Sequence, residues 1–161
     1  MADTEMIDGV TPSDIMSGLA EQRDTGVLCD VKLEVGRKLI PAHRSVLAAA
    51  SPVFRGMFTA EFKEKTDHII EIKDVTFDAV NAVIKAVYKH ELVLTNELVP
   101  EVLHVSHMLQ MNGIVDKCKA YMIENLSPQT CFTFLGLSEK YVLKDLISKA
   151  NGFVLENSKN Q

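Results

Sequence analysis

Apolar positions follow two regimes along this chain. In a short stretch they alternate with polar residues, and in the long stretches around it they recur every three or four positions. The first is the period of a strand buried on one face, the second that of amphipathic helices. An opening helix is predicted from about Pro12 to Arg23, where Ile15, Met16 and Leu19 share a face and Thr11 stands at the cap. In CDVKLEVGRKLIPAH, Val31, Leu33 and Val35 alternate with Lys32 and Glu34; Gly36-Arg37 then turns the chain into a second short strand through Leu39 and Ile40, which makes a hairpin. His43 to Ala50 suits a short buried helix. Ser51-Pro52 supplies a cap and an N1 proline for another, carrying Val53, Phe54, Met57 and Phe58.

After the polar segment TAEFKEKTD, HIIEIKDV reads as a third strand with Ile70 and Ile72 on one face. The remainder is helical. Thr76 caps a helix with Phe77, Val80, Ile84 and Val87, and Asn96 opens another with Leu98, Val102, Val105 and Leu109, ending at an Asn112-Gly113 break. A third helix runs from about Ile114 to Asn125, and Ser127-Pro128 starts a final helical hairpin, roughly Pro128 to Ser138 and Val142 to Leu155. This order is α+β: a short three-stranded sheet flanked by a helical cluster, since three short strands need helices against them. The C-terminal helical hairpin hangs on Leu126-Ser127 alone, so the expected division is 1–126 and 127–161.

At 161 residues, 47% hydrophobic and 24% charged, the chain is long enough to bury one ordinary core. Its net charge is −5, with lysines and arginines scattered, so no basic stripe exists to exchange for the counterions of a nucleic acid. Cys29, Cys118 and Cys131 form neither an even set nor a CxxC pair, which fits a reducing compartment, cytoplasmic or nuclear. The acidic N-terminus has no apolar leader, and no apolar run approaches the roughly 18 residues of a membrane span.

The stretch CDVKLEVGRKLIPAHRSVLAAASPVFRGMF resembles the opening of a BTB (POZ) domain of the kelch-like type: Cys-Asp-Val, a hairpin, then His-Arg and an alanine-rich helix. The resemblance continues through EIKDVTFDAVNAVIKAVYKHEL and LHVSHMLQMNGIVDKCKAYMIENL, and the last segment is similar to the helical pair that begins the neighbouring BACK domain. It stops at Gln161, before the bulk of BACK and before any kelch repeat, so the sequence is either an excised fragment or a short natural product. One departure stands out. Where kelch-like chains usually read Tyr-Thr-Gly, this one has Tyr88-Lys89-His90.

The resemblance implies a homodimeric, non-enzymatic adaptor that binds the N-terminal region of the cullin-3 scaffold of a ubiquitin ligase, with no cofactor, and that holds its substrate through a missing C-terminal part. It places Met16 and Leu19 of the first helix against the partner subunit, and Asp30 and Arg44 in a charged pocket at that interface. Pairing of Asp30 with Arg44 inside one chain is the alternative. The hydrophobic-x-Glu motif of the family matches Phe62-Lys63-Glu64, so Phe62 and Glu64 are expected to contact the cullin unless Phe62 folds back onto its own domain. Leu103 to Leu109 is a further expected contact. A groove lined by Phe132, Leu135 and Leu146 would receive an extended scaffold segment, although residues at this spacing serve equally as core. The runner-up function is a BTB domain of a transcriptional regulator that recruits corepressors and binds no cullin.

Other chemistry finds little support. His104 and His107 stand one helical turn apart but have no third metal ligand nearby in sequence, and they read as solvated or interfacial. Cys29 and His43 invite a nucleophile-base reading, yet a small residue in an apolar hairpin is ordinary core. No glycine-rich phosphate loop is present.

Overall fold

In the computed structural model, residues 3–60 and 67–160 are described. The alternating stretch becomes the middle strand of the sheet. β1 (Val31–Val35) buries Val31, Leu33 and Val35 and turns Lys32 to solvent. It pairs antiparallel with β2 (Lys38–Ala42), Leu33 opposite Ile40, after a turn in which Gly36 takes a φ of 64° that favours glycine. Along its other edge β1 pairs in parallel with β3 (Ile69–Glu71), Leu33 opposite Ile70, so the strand order is β2-β1-β3. A parallel pair needs a crossover, and α2 (Arg44–Ala50) and α3 (Pro52–Thr59) lie on it.

The helices are α1 (Pro12–Thr25), α4 (Phe77–Lys89), α5 (Val99–Met108), α6 (Asn112–Glu124), α7 (Cys131–Lys140) and α8 (Lys144–Lys159). α1 begins with a reciprocal capping box: Thr11 Oγ1 accepts the Asp14 N–H at 3.1 Å, and Asp14 Oδ2 accepts the Thr11 N–H at 3.0 Å. The Thr11 N–H holds the Asp14 carboxyl below its ordinary value. Thr76 caps α4 as its sequence predicts, and α4 turns Val80, Val83, Ile84 and Tyr88 inward. At its end His90 adopts a left-handed φ of 55°, the conformation a glycine takes most easily, so losing the glycine of the family pattern has not removed the left-handed turn.

Several helix ends differ from the sequence prediction. Asn96 does not open α5; the carbonyl of Thr95 accepts the N–H groups of Leu98 and Val99, and α5 begins after that turn. Asn112-Gly113 is the first turn of α6 rather than a break. The break falls at Gln110, φ 54°, where the Met111 N–H reaches back to the Ser106 carbonyl at 2.8 Å. Ser127-Pro128 forms a turn ahead of α7, with Thr130 Oγ1 donating to the Asn125 carbonyl at 2.8 Å. α8 starts after Val142, which is left-handed at φ 55° and so cannot continue a helix.

One continuous core joins these elements. It runs from Leu33 and Leu47 through Phe54, Ile84 and Leu103 to Met122, and it includes Phe134 and Leu146 of the C-terminal helical pair. Ser51 is the buried polar tie within it. Its Oγ accepts the Phe54 N–H that starts α3 and donates to the Leu109 carbonyl at 2.7 Å, pinning α3 to the end of α5.

Candidate functional site

The first surface lies on α1. Ala20 is buried and Met16 and Leu19 are half-buried against the core, while Ile15 stands 55% exposed. Met6, Ile7 and Val10 ahead of the helix, and Val27 and Leu28 behind it, are also exposed. Apolar side chains gathered this way around one helix form a surface suited to being covered by a partner. Asp24 Oδ2 meets Lys89 Nζ at 3.0 Å, which ties the end of α1 to the end of α4 and holds the Asp24 carboxyl below its ordinary value.

Asp30 and Arg44 meet within the chain. Asp30 Oδ1 accepts the backbone N–H of Arg44 at 2.8 Å, supplying α2 with the cap that His43 does not provide. The Arg44 guanidinium donates to the Asp67 carbonyl and lies 5.0 Å from the centre of the Phe58 ring. The Asp30 contact thus runs to the Arg44 backbone, and its place at an interface between copies is a matter for the proposal below.

Beside them a relay of buried and half-buried groups links α1 to the hairpin. Tyr88 Oη accepts the His43 N–H at 2.9 Å, so its own hydrogen is directed to His43 Nδ1 at 2.8 Å. That network assigns the ring hydrogen to Nε2, which faces Cys29 Sγ at 3.8 Å, and the thiol in turn faces the Gln22 carbonyl at 3.8 Å. A protonated Nε2 cannot take a proton from sulfur. Burial also pushes the Cys29 thiol up, so the pair holds structure together and leaves the thiol unactivated.

The second surface is the one expected to meet a scaffold. Phe62 and Glu64 lie outside the described residues. Leu103, Leu109 and Leu146, expected at this surface, are 0%, 1% and 0% exposed and belong to the core of their own chain, which corrects the sequence expectation for those side chains. The helical period that nominated them points them inward. The outward face of α5 carries Glu101 and His107 instead, with His104 half-buried. Of the groove residues, Leu135 is half-buried and Phe132 is 71% exposed on α7.

His104 and His107 belong to no group of three or more potential metal ligands among the described residues, and both lie against Tyr141. His104 Nδ1 lies 3.0 Å from Tyr141 Oη, and the His107 ring sits 4.8 Å from the Tyr141 ring. Next to this contact an open groove of about 470 Å³ runs between the starts of α4 and α5 and the end of α7.

The BTB/POZ domain family matches residues 19–126. The chain belongs to the BTB/POZ family. It is 31% identical over 144 residues to Kelch-like protein 17 of Mus musculus, a match covering 89% of this chain and 22% of that protein. To Kelch-like protein 38 of Homo sapiens it is 31% identical over 159 residues, covering 95% and 27%. The chain thus spans about a quarter of the length of these kelch-like relatives. Among solved structures, the BTB domain of zebrafish PATZ1 superposes with a TM-score of 0.67 at 25% identity, covering 75% of this chain and all of that one. Proteins of this kind are interaction modules and adaptors.

Within this BTB/POZ chain, sequence reasoning missed Tyr141 and the Ser51 tie. Tyr141 stands next to Val142 in a segment read as a helix boundary, and its partners are on α5, far away in sequence. No local pattern announces such a pair. A half-polar aromatic beside a helix end was the one available hint.

Proposed function

We propose that this chain is the homodimeric part of a substrate adaptor that binds the N-terminal region of cullin-3 in a ubiquitin ligase. The kelch-like relatives carry this reading, because their similarity extends past the BTB match into α7 and α8. Residues 1–126 are then the dimerising domain and 127–161 the start of BACK, in a protein of the cytoplasm or nucleus whose substrate is held by a C-terminal part. Dimerisation through the α1 surface would present two scaffold arms, and avidity follows from that geometry. Ubiquitin transfer belongs to the recruited enzymes.

Two surface features support the reading. The exposed apolar residues around α1 match what a second copy would cover, and Phe132 offers an aromatic of the size of a binding anchor. A calorimetric titration with the cullin-3 N-terminal region, run beside light scattering, tests it. Phe62→Ala with Glu64→Ala is expected to weaken binding at least about 30-fold, the loss of a typical anchor. Unchanged affinity would remove that loop from the site. A monomer that ignores cullin-3 would end the proposal.

The second reading is a BTB domain that recruits corepressors and binds no cullin. The likeness to the BTB domain of zebrafish PATZ1 fits it. A light-scattering dimer with no heat of cullin binding is its signature.

A further inference from the structure

We infer that Tyr141 is a positioning residue for scaffold recognition: by holding the end of α7 on α5, it joins two separate contact surfaces into one. This rests on the cullin reading proposed above. The helical pair is fixed to the rest of the protein by contacts of two kinds, apolar burial and directed polar contacts. α8 is seated by burial, Leu146 and Ala150 lying wholly inside, with Lys119 and Asp145 approaching to 3.9 Å at the surface. α7 is buried through Phe134, and Tyr141 at its C-terminal end adds directed contacts, 3.0 Å to His104 Nδ1 and a ring contact with His107.

Apolar burial on α8 holds that helix by contacts that are individually non-directional, whereas a directed hydrogen bond and a tilted ring contact fix the angle of the α7 end. Two histidines one turn apart on α5 receive Tyr141 at the corner between α7 and α8, so the corner cannot slide without breaking both contacts. The strained left-handed Val142 that follows keeps that corner sharp. The groove beside it has walls from α4 and α5 on one side and Leu137, Lys140 and Tyr141 on the other, so its width is set by the same joint. A ligand that touches only α5 does not sense the joint. One that crosses from α5 onto α7 does.

The test uses the whole chain and two probes: the cullin-3 N-terminal domain with its leading extended segment and the same domain without it. Tyr141→Phe is expected to weaken binding of the longer probe roughly 2- to 10-fold, the effect of one neutral hydrogen bond, and to leave the shorter probe unchanged. Tyr141→Ala, which also removes the ring contact, is expected to widen that difference. Faster amide exchange in α7 than in α8 of the Tyr141→Phe protein would report the loosened joint directly, even if the Ala protein fails to fold. Equal losses for both probes would assign Tyr141 a merely structural role and overturn the inference, as would no loss for either. If the unmodified chain binds neither probe, the cullin reading falls and this inference with it.

Discussion

Tyr88→Phe removes a single oxygen from the relay that seats α1, and its cost can be worked from the groups left behind. That hydroxyl serves the His43 backbone N–H at 2.9 Å and His43 Nδ1 at 2.8 Å, in a place where His43 is 6% and Tyr88 1% exposed. Water has little access to replace it. An orphaned buried donor costs about 1–3 kcal/mol, and the stranded ring nitrogen adds about 1, so a loss of about 2–4 kcal/mol is expected. Urea unfolding followed by circular dichroism at fixed protein concentration should show the midpoint falling by about 1–2 M with little change in slope. The same side chain makes a second signature. Burial pushes its hydroxyl up from 10.0 to about 12. Between those values the unfolded chain has released a proton that the folded one keeps, so stability is full below pH 10 and falls by about 1.4 kcal/mol per pH unit above it. The buried Cys118 thiol, raised from 9.0 to about 12, adds a parallel alkaline loss. Tyr88→Phe should abolish the first contribution and leave the second. A variant within about 0.5 kcal/mol of the parent, with its alkaline slope intact, would refute the relay as a source of stability.

Three further outcomes are expected. Ser51→Ala should cost about 2–3 kcal/mol in thermal or urea unfolding, because it removes the α3 cap and strands the Leu109 carbonyl in the core. Val142→Gly should raise stability by about 1 kcal/mol by relieving the left-handed strain of a β-branched residue, read as a higher melting temperature. Leu146→Ala should cost about 2–5 kcal/mol of stability, whereas Phe132→Ala should stay within about 0.5 kcal/mol of the parent and lower cullin-3 affinity instead.

What was legible in the sequence was what a local period or cap encodes. Val31, Leu33 and Val35 announced β1, and Thr11 and Thr76 announced their helices, because the information lies within a few residues of the structure it forms. The misread ends share a cause. Asn96, Asn112 and Ser127 all carry capping side chains, but the chain turns on neighbouring residues instead: Thr95 caps the Leu98 N–H, Gln110 is left-handed, and Thr130 Oγ1 bonds back to Ser127 and Asn125. The resemblance nominated contact side chains that the structure turns into the core. Leu103 and Leu146 sit on the expected helices with their side chains inward, where an apolar stripe at helical spacing ordinarily faces. The Tyr141 and Ser51 ties join residues far apart in sequence, and pairing of that kind is invisible to a window.

The middle position of β1 also dictates an order of assembly. Its partnership with β2 spans one tight turn and can zip within microseconds, but its partnership with β3 closes a loop that contains two helices and pays the entropy of that closure first. A chain emerging from the ribosome with β3 still in the exit tunnel therefore carries a finished hairpin whose β1 edge is still bare, a row of backbone donors and acceptors that another nascent copy can capture. Three residues, Ile69 to Glu71, end that exposure when they arrive.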